Sequence, residues 1–162
     1  MDALAHISEE LGVDAPLIRL ISDTNKSQLD NFYQRIEAEL WVLNDKTLAI
    51  WGLAFKPNTD DLREAPALRL IEKLKAAGAK LRVHDPVAMA ATRKLHPDLY
   101  YAKDPIDAAS GADALIVCTE WPEYKEADLA KVKVRGLNRV RHRFTFAMAV
   151  YNLIRLLEWA AR

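Results

Sequence analysis

Residues 46–66 constrain this chain more than any other stretch. Their first part, Thr47-Leu-Ala-Ile-Trp-Gly-Leu53, is a short apolar run with a lysine in front and a glycine near its end. A run of that length and character predicts a buried parallel strand over 47–53. The second part is a polar loop holding Lys56, Asp60, Asp61 and Arg63. Pro66 closes it, a residue suited to the first position of a helix. A strand that ends at a glycine and passes through a loop into a helix is where open α/β sheets bind ligands.

The same alternation recurs downstream. After a helix over 66–77, Gly78 leads into a strand over 80–84, and Asp85-Pro86 punctuates before a helix over 87–95. A brief strand at 100–101 and a short helix over 105–110 follow. Gly111-Ala-Asp113 then precedes an apolar strand over 114–118, and a helix is expected over 126–132. Upstream the period is helical. Leu4, Ile7 and Leu11, then Leu17, Leu20 and Ile21, recur at helix spacing, with Gly12 and Pro16 marking a break. The fold class is therefore α/β: a Rossmann-like parallel sheet with flanking helices, preceded by a long helical segment over 16–40. A fifth strand is expected after Val132, but residues 134–143 are basic and show neither period. Residues 144–161 read as one apolar C-terminal helix.

Composition excludes several classes. With 162 residues, 51% hydrophobic and 28% charged, the chain has material for one soluble domain and its core. One cysteine rules out an internal disulfide framework and a multi-cysteine metal site. His6, His84, His96 and His142 have no ligand spacing, so no metal site is expected. No secretory pattern and no apolar run of about 18 residues is present, which makes the cytoplasm the default compartment. The net charge of zero hides an asymmetry: residues 135–162 carry six arginines against Glu158 alone, leaving the rest acidic. Such a break suggests segments of different origin.

The run Gly52-Leu-Ala-Phe-Lys-Pro-Asn-Thr-Asp-Asp-Leu-Arg-Glu-Ala-Pro66, with His84-Asp-Pro86, Asp104-Pro105, Gly111-Ala-Asp-Ala114 and Thr119-Glu-Trp121, resembles the C-terminal UDP-binding domain of the UDP-glucose 6-dehydrogenase family. The resemblance covers about residues 2–132 and divides the chain in three. Residues 1–45 resemble the end of the family's central domain, whose long helix builds a dimer. Residues 46–133 resemble the UDP-binding domain without its last strand. Residues 134–162 depart from the family: no Phe-Asp-Gly-Arg-Asn-like motif follows. Instead Arg141-His-Arg-Phe144 and Tyr151-Asn-Leu-Ile-Arg155 resemble the end of insertion-sequence transposases of the DDE type. The resemblance implies a parent that oxidises a UDP-sugar with NAD in two steps. Its catalytic cysteine and NAD domain match nothing in these residues. Two contacts carry over: Phe55 and Lys56 as the pair that meets the UDP-sugar, and Arg63 as the arginine that reaches the NAD site. A loop ammonium and a guanidinium near a helix N-terminus suit phosphate oxygens.

Plainer roles stand beside these. Lys56 also reads as an ordinary solvated loop lysine. Arg63 reads equally as the partner of Asp60 or Asp61 in a surface ion pair. Asp85 stands where a Rossmann sheet keeps the acid of its second strand, but the glycine spacing is wrong for a dinucleotide fingerprint, so a turn-forming Asp-Pro is expected. Cys118 reads as an inert thiol in an apolar strand, and Trp121 as a packing residue. The expected function is that of a truncated dehydrogenase, inactive alone, with the UDP-sugar-binding domain kept. The alternatives are a non-catalytic nucleotide-binding or homodimerising module and, through the arginine-rich tail, a DNA-associating hybrid.

Overall fold

The computed structural model describes residues 16–128. The helix expected before residue 12, the basic segment after Val134 and the C-terminal helix lie outside the described residues. The chain divides into two compact units, Met1–Trp41 and Val42–Arg162. The described part of the first is one 25-residue helix, α1 (Pro16–Leu40). It stops where Trp41 turns left-handed, φ 63°, while its N–H still donates to the Glu37 carbonyl at 2.8 Å. This is a helix end of the kind usually reserved for glycine.

In the second unit the elements run β1 (Thr47–Trp51), α2 (Pro66–Ala76), β2 (Lys80–His84), α3 (Met89–Leu95), β3 (Tyr100–Tyr101), α4 (Pro105–Ala109), β4 (Ala114–Val117) and α5 (Pro122–Glu126). The strands form one sheet in the order β3-β2-β1-β4. Every pairing is parallel, with Thr47 opposite Lys80, Leu48 opposite Ala114 and Arg82 opposite Tyr100. This is the α/β sheet expected from the sequence. Connections step outward from β1 to β3, then return across the sheet to β4. Right-handed crossovers in these two directions put α2 and α4 on opposite faces.

The period-2 alternation of β1 sorts the core. Ala49 and Trp51 share a face with their partners Arg82 and His84 and join Ala102, Ala108, Ala109, Ala112, Trp121 and Tyr124 in one buried cluster. Leu48 and Ile50, also fully buried, point the other way. A strand buried on both faces must be apolar throughout, and residues 48–51 are. Trp51 satisfies its indole N–H on the Pro105 carbonyl at 2.9 Å and stacks on Tyr124 with ring centroids 4.9 Å apart. At the amino edge, Asp113 Oδ2 accepts the Thr47 N–H at 2.9 Å, and its own N–H donates to the Thr47 carbonyl at 2.7 Å. That pair starts β1 and β4 in register.

Three differences from the sequence expectation exceed one residue; α2, α4 and β4 each end one residue earlier than expected. β1 stops at Trp51 because Gly52, at φ 86°, turns the chain out of the sheet. α3 opens at Met89 rather than 87 because the Asp85 side chain captures the N–H groups of Val87 and Ala88 in a turn. Of the helix expected over 126–132, residues 127 and 128 are not helical, and a short helix, Pro122–Glu126, forms where only a connection was expected. Proline takes its first position, and Tyr124 within it is buried beneath Trp51. Residues 129–132 lie outside the described residues.

Candidate functional site

The strand order reverses at β1, so the carboxyl ends of β1 and β4 flank the topological switch point, the usual ligand edge of such sheets. Two loops leave there: residues 52–65 after β1 and residues 118–121 after β4. They touch at their bases. A β-carbon added to Gly52 would lie 2.5 Å from both the Thr119 amide nitrogen and its Cβ, so only glycine fits, apart from its positive φ. The Thr119 hydroxyl donates to the Ala54 carbonyl at 2.5 Å, and the Gly52 N–H donates to the His84 carbonyl at 2.9 Å.

Asp85 binds these segments together. It is fully buried, and its carboxylate accepts five hydrogen bonds. Oδ2 takes the N–H of Leu53 at 2.7 Å, of Ala54 at 3.2 Å and the Trp121 indole N–H at 3.2 Å. Oδ1 takes the N–H of Val87 at 2.9 Å and of Ala88 at 2.7 Å. The turn role expected of Asp85 is present in the last two contacts. The first three are a long-range role that the Asp-Pro dipeptide does not announce. Their only trace in the sequence is an acid directly after β2, at the same sheet edge as the loop that follows β1.

Beyond this base the loop closes on itself. The Phe55 N–H donates to the Asp61 carbonyl at 2.8 Å, and the Asp61 N–H donates to the Thr59 hydroxyl at 3.1 Å. Asn58 and Glu64 both take positive φ, at 62° and 55°. Phe55 and Lys56 are exposed on this tip. Arg63 forks onto Asp61: Nε donates to Oδ1 at 2.9 Å and Nη2 to Oδ2 at 2.8 Å, while the Arg63 N–H also reaches Oδ1 at 3.0 Å. The guanidinium beside Asp61, with a smaller contribution from Lys56, holds that carboxyl down to about 2. The two cations predicted from the sequence therefore act on one carboxylate. The surface ion pair weighed for Arg63 forms, and with Asp61 rather than Asp60. Arg63's side chain remains 88% exposed.

Under the loop lies a buried polar pair. The Tyr124 hydroxyl donates to the His84 carbonyl at 2.9 Å, so its oxygen is left to accept from His84 Nδ1 at 3.2 Å. Burial lowers the His84 pKa, against a smaller upward pull from Glu123, Asp85 and Asp104. Burial likewise pushes the Tyr124 pKa upward. Cys118, half-buried just past β4, has its thiol pushed up to about 12 by its apolar surroundings. Thiolate is the nucleophile, and at neutral pH it is scarce here. Among the described residues no cluster of His, Cys, Asp or Glu is arranged to hold a metal, and no helix is long and apolar enough to cross a membrane.

Comparison with known proteins agrees with this architecture. Residues 49–148 match the model of the UDP-glucose/GDP-mannose dehydrogenase family, UDP binding domain. The match runs past Val134 into the segment whose sequence departs from the family motif. A UDP-glucose 6-dehydrogenase of Pseudomonas aeruginosa is 38% identical over 139 residues, covering 81% of this chain and 30% of that protein. One from Rhizobium meliloti is 45% identical over 86 residues, covering 53% and 20%. A solved UDP-glucose dehydrogenase from the hyperthermophilic archaeon Pyrobaculum islandicum superposes with a TM-score of 0.73 at 32% identity, covering 78% of this chain and 29% of that one. The chain thus spans less than a third of the length of these relatives.

Proposed function

Because this chain belongs to the UDP-glucose/GDP-mannose dehydrogenase family through its UDP-binding domain, we infer that residues 46–133 supply the UDP-sugar contacts of a UDP-glucose 6-dehydrogenase. One observation carries the reading. A loop bearing Lys56 and Arg63 leaves the central strand at the switch point, and its base is pinned by Asp85 and Thr119. A pinned loop that presents a cation loses little freedom when an anion binds. In this reading Lys56 pairs with the diphosphate, Phe55 lies against the ligand and Arg63 reaches toward the NAD side.

No NAD site is proposed for the described residues by themselves. The five glycines are never two residues apart, so no phosphate-binding fingerprint exists. Asp85, placed where a dinucleotide's ribose would be held, is buried and occupied by five donors. No hydride step is assigned to these residues, and the 162-residue chain is expected to reduce no NAD with UDP-glucose. The helical residues 1–45 are proposed to mediate a homodimer, in a cytoplasmic protein. Residues 134–162, whose likeness to a transposase end runs over 134–157 and is carried by 141–144 and 151–155, are proposed to be of foreign origin. The genomic flank tests that origin: remnants of a mobile element downstream support it, and an uninterrupted dehydrogenase gene removes it.

Titration calorimetry with UDP tests the central claim. Wild-type chain should release heat on binding and Lys56→Ala should bind at least about tenfold more weakly, as expected for losing a charge-assisted contact. The absence of binding by wild type would remove the reading and leave a dimerising module as the alternative.

A further inference from the structure

Thr119, in the loop after β4, meets the loop after β1 at two depths. Its backbone lies against Gly52, where β1 has just ended. Its hydroxyl reaches past Leu53 and donates to the Ala54 carbonyl at 2.5 Å. The N–H of that same peptide, belonging to Phe55, donates to the Asp61 carbonyl at 2.8 Å. The peptide joining Ala54 to Phe55 is therefore held from both sides, by the loop after β4 and by the returning arm of its own loop. Phe55 and Lys56, the exposed tip, follow it directly. Resting on the reading that these two meet the UDP-sugar, we propose that Thr119 is a positioning residue for UDP-sugar binding: its hydroxyl fixes the plane of the Ala54–Phe55 peptide and, through it, the direction in which Lys56 is presented.

Thr119 is buried and its one hydroxyl proton is committed to Ala54, so it acts through that peptide rather than on the ligand. Ala54 is buried as well. A buried carbonyl left without its donor turns toward another partner, and rotation of this peptide swings the tip that follows it. Trp121, two residues beyond Thr119, steadies the same residue from its other end. The Trp121 indole N–H and the Ala54 N–H share Asp85 Oδ2, each at 3.2 Å. The N–H of Ala54, its carbonyl and the N–H of Phe55 are thus all occupied, and two of the three contacts depend on groups outside the loop.

Calorimetry of UDP binding to wild type, Thr119→Val, Thr119→Ser, Lys56→Ala and the Thr119→Val/Lys56→Ala double variant tests this, with circular dichroism to establish that each is folded. Thr119→Val keeps the shape and removes the donor. It should bind UDP about threefold to tenfold more weakly, the range that one neutral hydrogen bond is worth. Thr119→Ser keeps the donor and should bind within about twofold of wild type. A defect unrelated to the tip would weaken binding by the same factor whatever stands at position 56. Action through the tip predicts otherwise: added to Lys56→Ala, Thr119→Val should change affinity by less than about twofold. Should Lys56→Ala bind too weakly to measure, the contrast between valine and serine decides. Wild-type affinity in Thr119→Val, an equal loss in Thr119→Ser, or an undiminished effect in the Lys56→Ala background overturns the positioning role and leaves the UDP-binding reading intact. No binding by wild type overturns both.

Discussion

Replacing Asp85 with asparagine keeps the shape of the side chain and removes one acceptor oxygen, which makes it a direct measure of how firmly the switch-point loops are held. In the native chain Oδ2 serves Leu53, Ala54 and Trp121, and Oδ1 serves Val87 and Ala88. The better orientation for asparagine puts its oxygen among the three donors. Its NH2 group then faces the N–H groups of Val87 and Ala88; Val87 is half-exposed and its N–H can turn to water, while the buried N–H of Ala88 loses its acceptor. An unpaired buried polar group costs about 1–3 kcal/mol, so the expected loss is about 1–3 kcal/mol, with ~2 kcal/mol as the central expectation. Against a typical domain stability of about 5–15 kcal/mol, the variant folds but with a reduced margin. Urea titration followed by tryptophan fluorescence reads this, since Trp51 and Trp121 are both buried near the carboxylate. The midpoint should fall by about 1 M with the slope unchanged, for a slope of roughly 2 kcal/mol/M. Amide exchange at Val87 and Ala88 should accelerate more than at Leu81 and Val83 in β2. A loss below about 1 kcal/mol would refute the reasoning, because it would mean that the five contacts are readily replaced.

Other perturbations probe separate parts of the same edge. Gly52→Ala should lose more than ~3 kcal/mol in the same titration, from a left-handed φ of 86° and from the forced movement of Thr119. Thr119→Val, which removes the donor to the Ala54 carbonyl, should cost about 1–2 kcal/mol and weaken UDP binding without abolishing it. His84 has a lowered pKa when folded, chiefly through burial, so the unfolded chain binds protons more readily. Stability should therefore fall as pH drops below the unfolded histidine value of about 6.5. His84→Gln should flatten that decline between pH 7.5 and 5.5; an unchanged slope would show that other groups cause it. Arg63→Ala should let the Asp61 carboxyl rise from about 2 toward the usual carboxylate range, read by NMR titration.

Much of the sheet was legible because its strands are short apolar runs between glycines and prolines. Lys80–His84 and Tyr100–Tyr101 have the bounds that their patterns predict. The switch point could be placed as well, since a strand ending at Gly52 and a helix opening at Pro66 bracket it. What local pattern missed came from contacts distant in the chain. Asp85 looks like a turn residue because its sequence neighbours are turn residues; its donors at Leu53, Ala54 and Trp121 lie more than 30 positions away. The short helix Pro122–Glu126 is not announced by the sequence because Trp121-Pro-Glu123 resembles a loop, whereas packing of Tyr124 on Trp51 makes it a helical turn. At the loop, charge pattern alone left Asp60 and Asp61 equal as partners for Arg63. The closure of Phe55 onto Asp61 decides between them.

The order β3-β2-β1-β4 also sets a timetable for synthesis. β1 emerges from the ribosome first among the strands, yet one of its two flanks waits for residues 114–117. At roughly 5–20 residues per second that interval lasts several seconds, with the indole of Trp51 and one row of backbone amides lacking their final cover. Thr119 and Trp121, which fasten the cation-bearing turn, arrive later still. A nascent chain stalled before residue 114 should thus expose a sticky half-sheet to chaperones, and its ligand-facing loop would gain its last two anchors only when β4 docks.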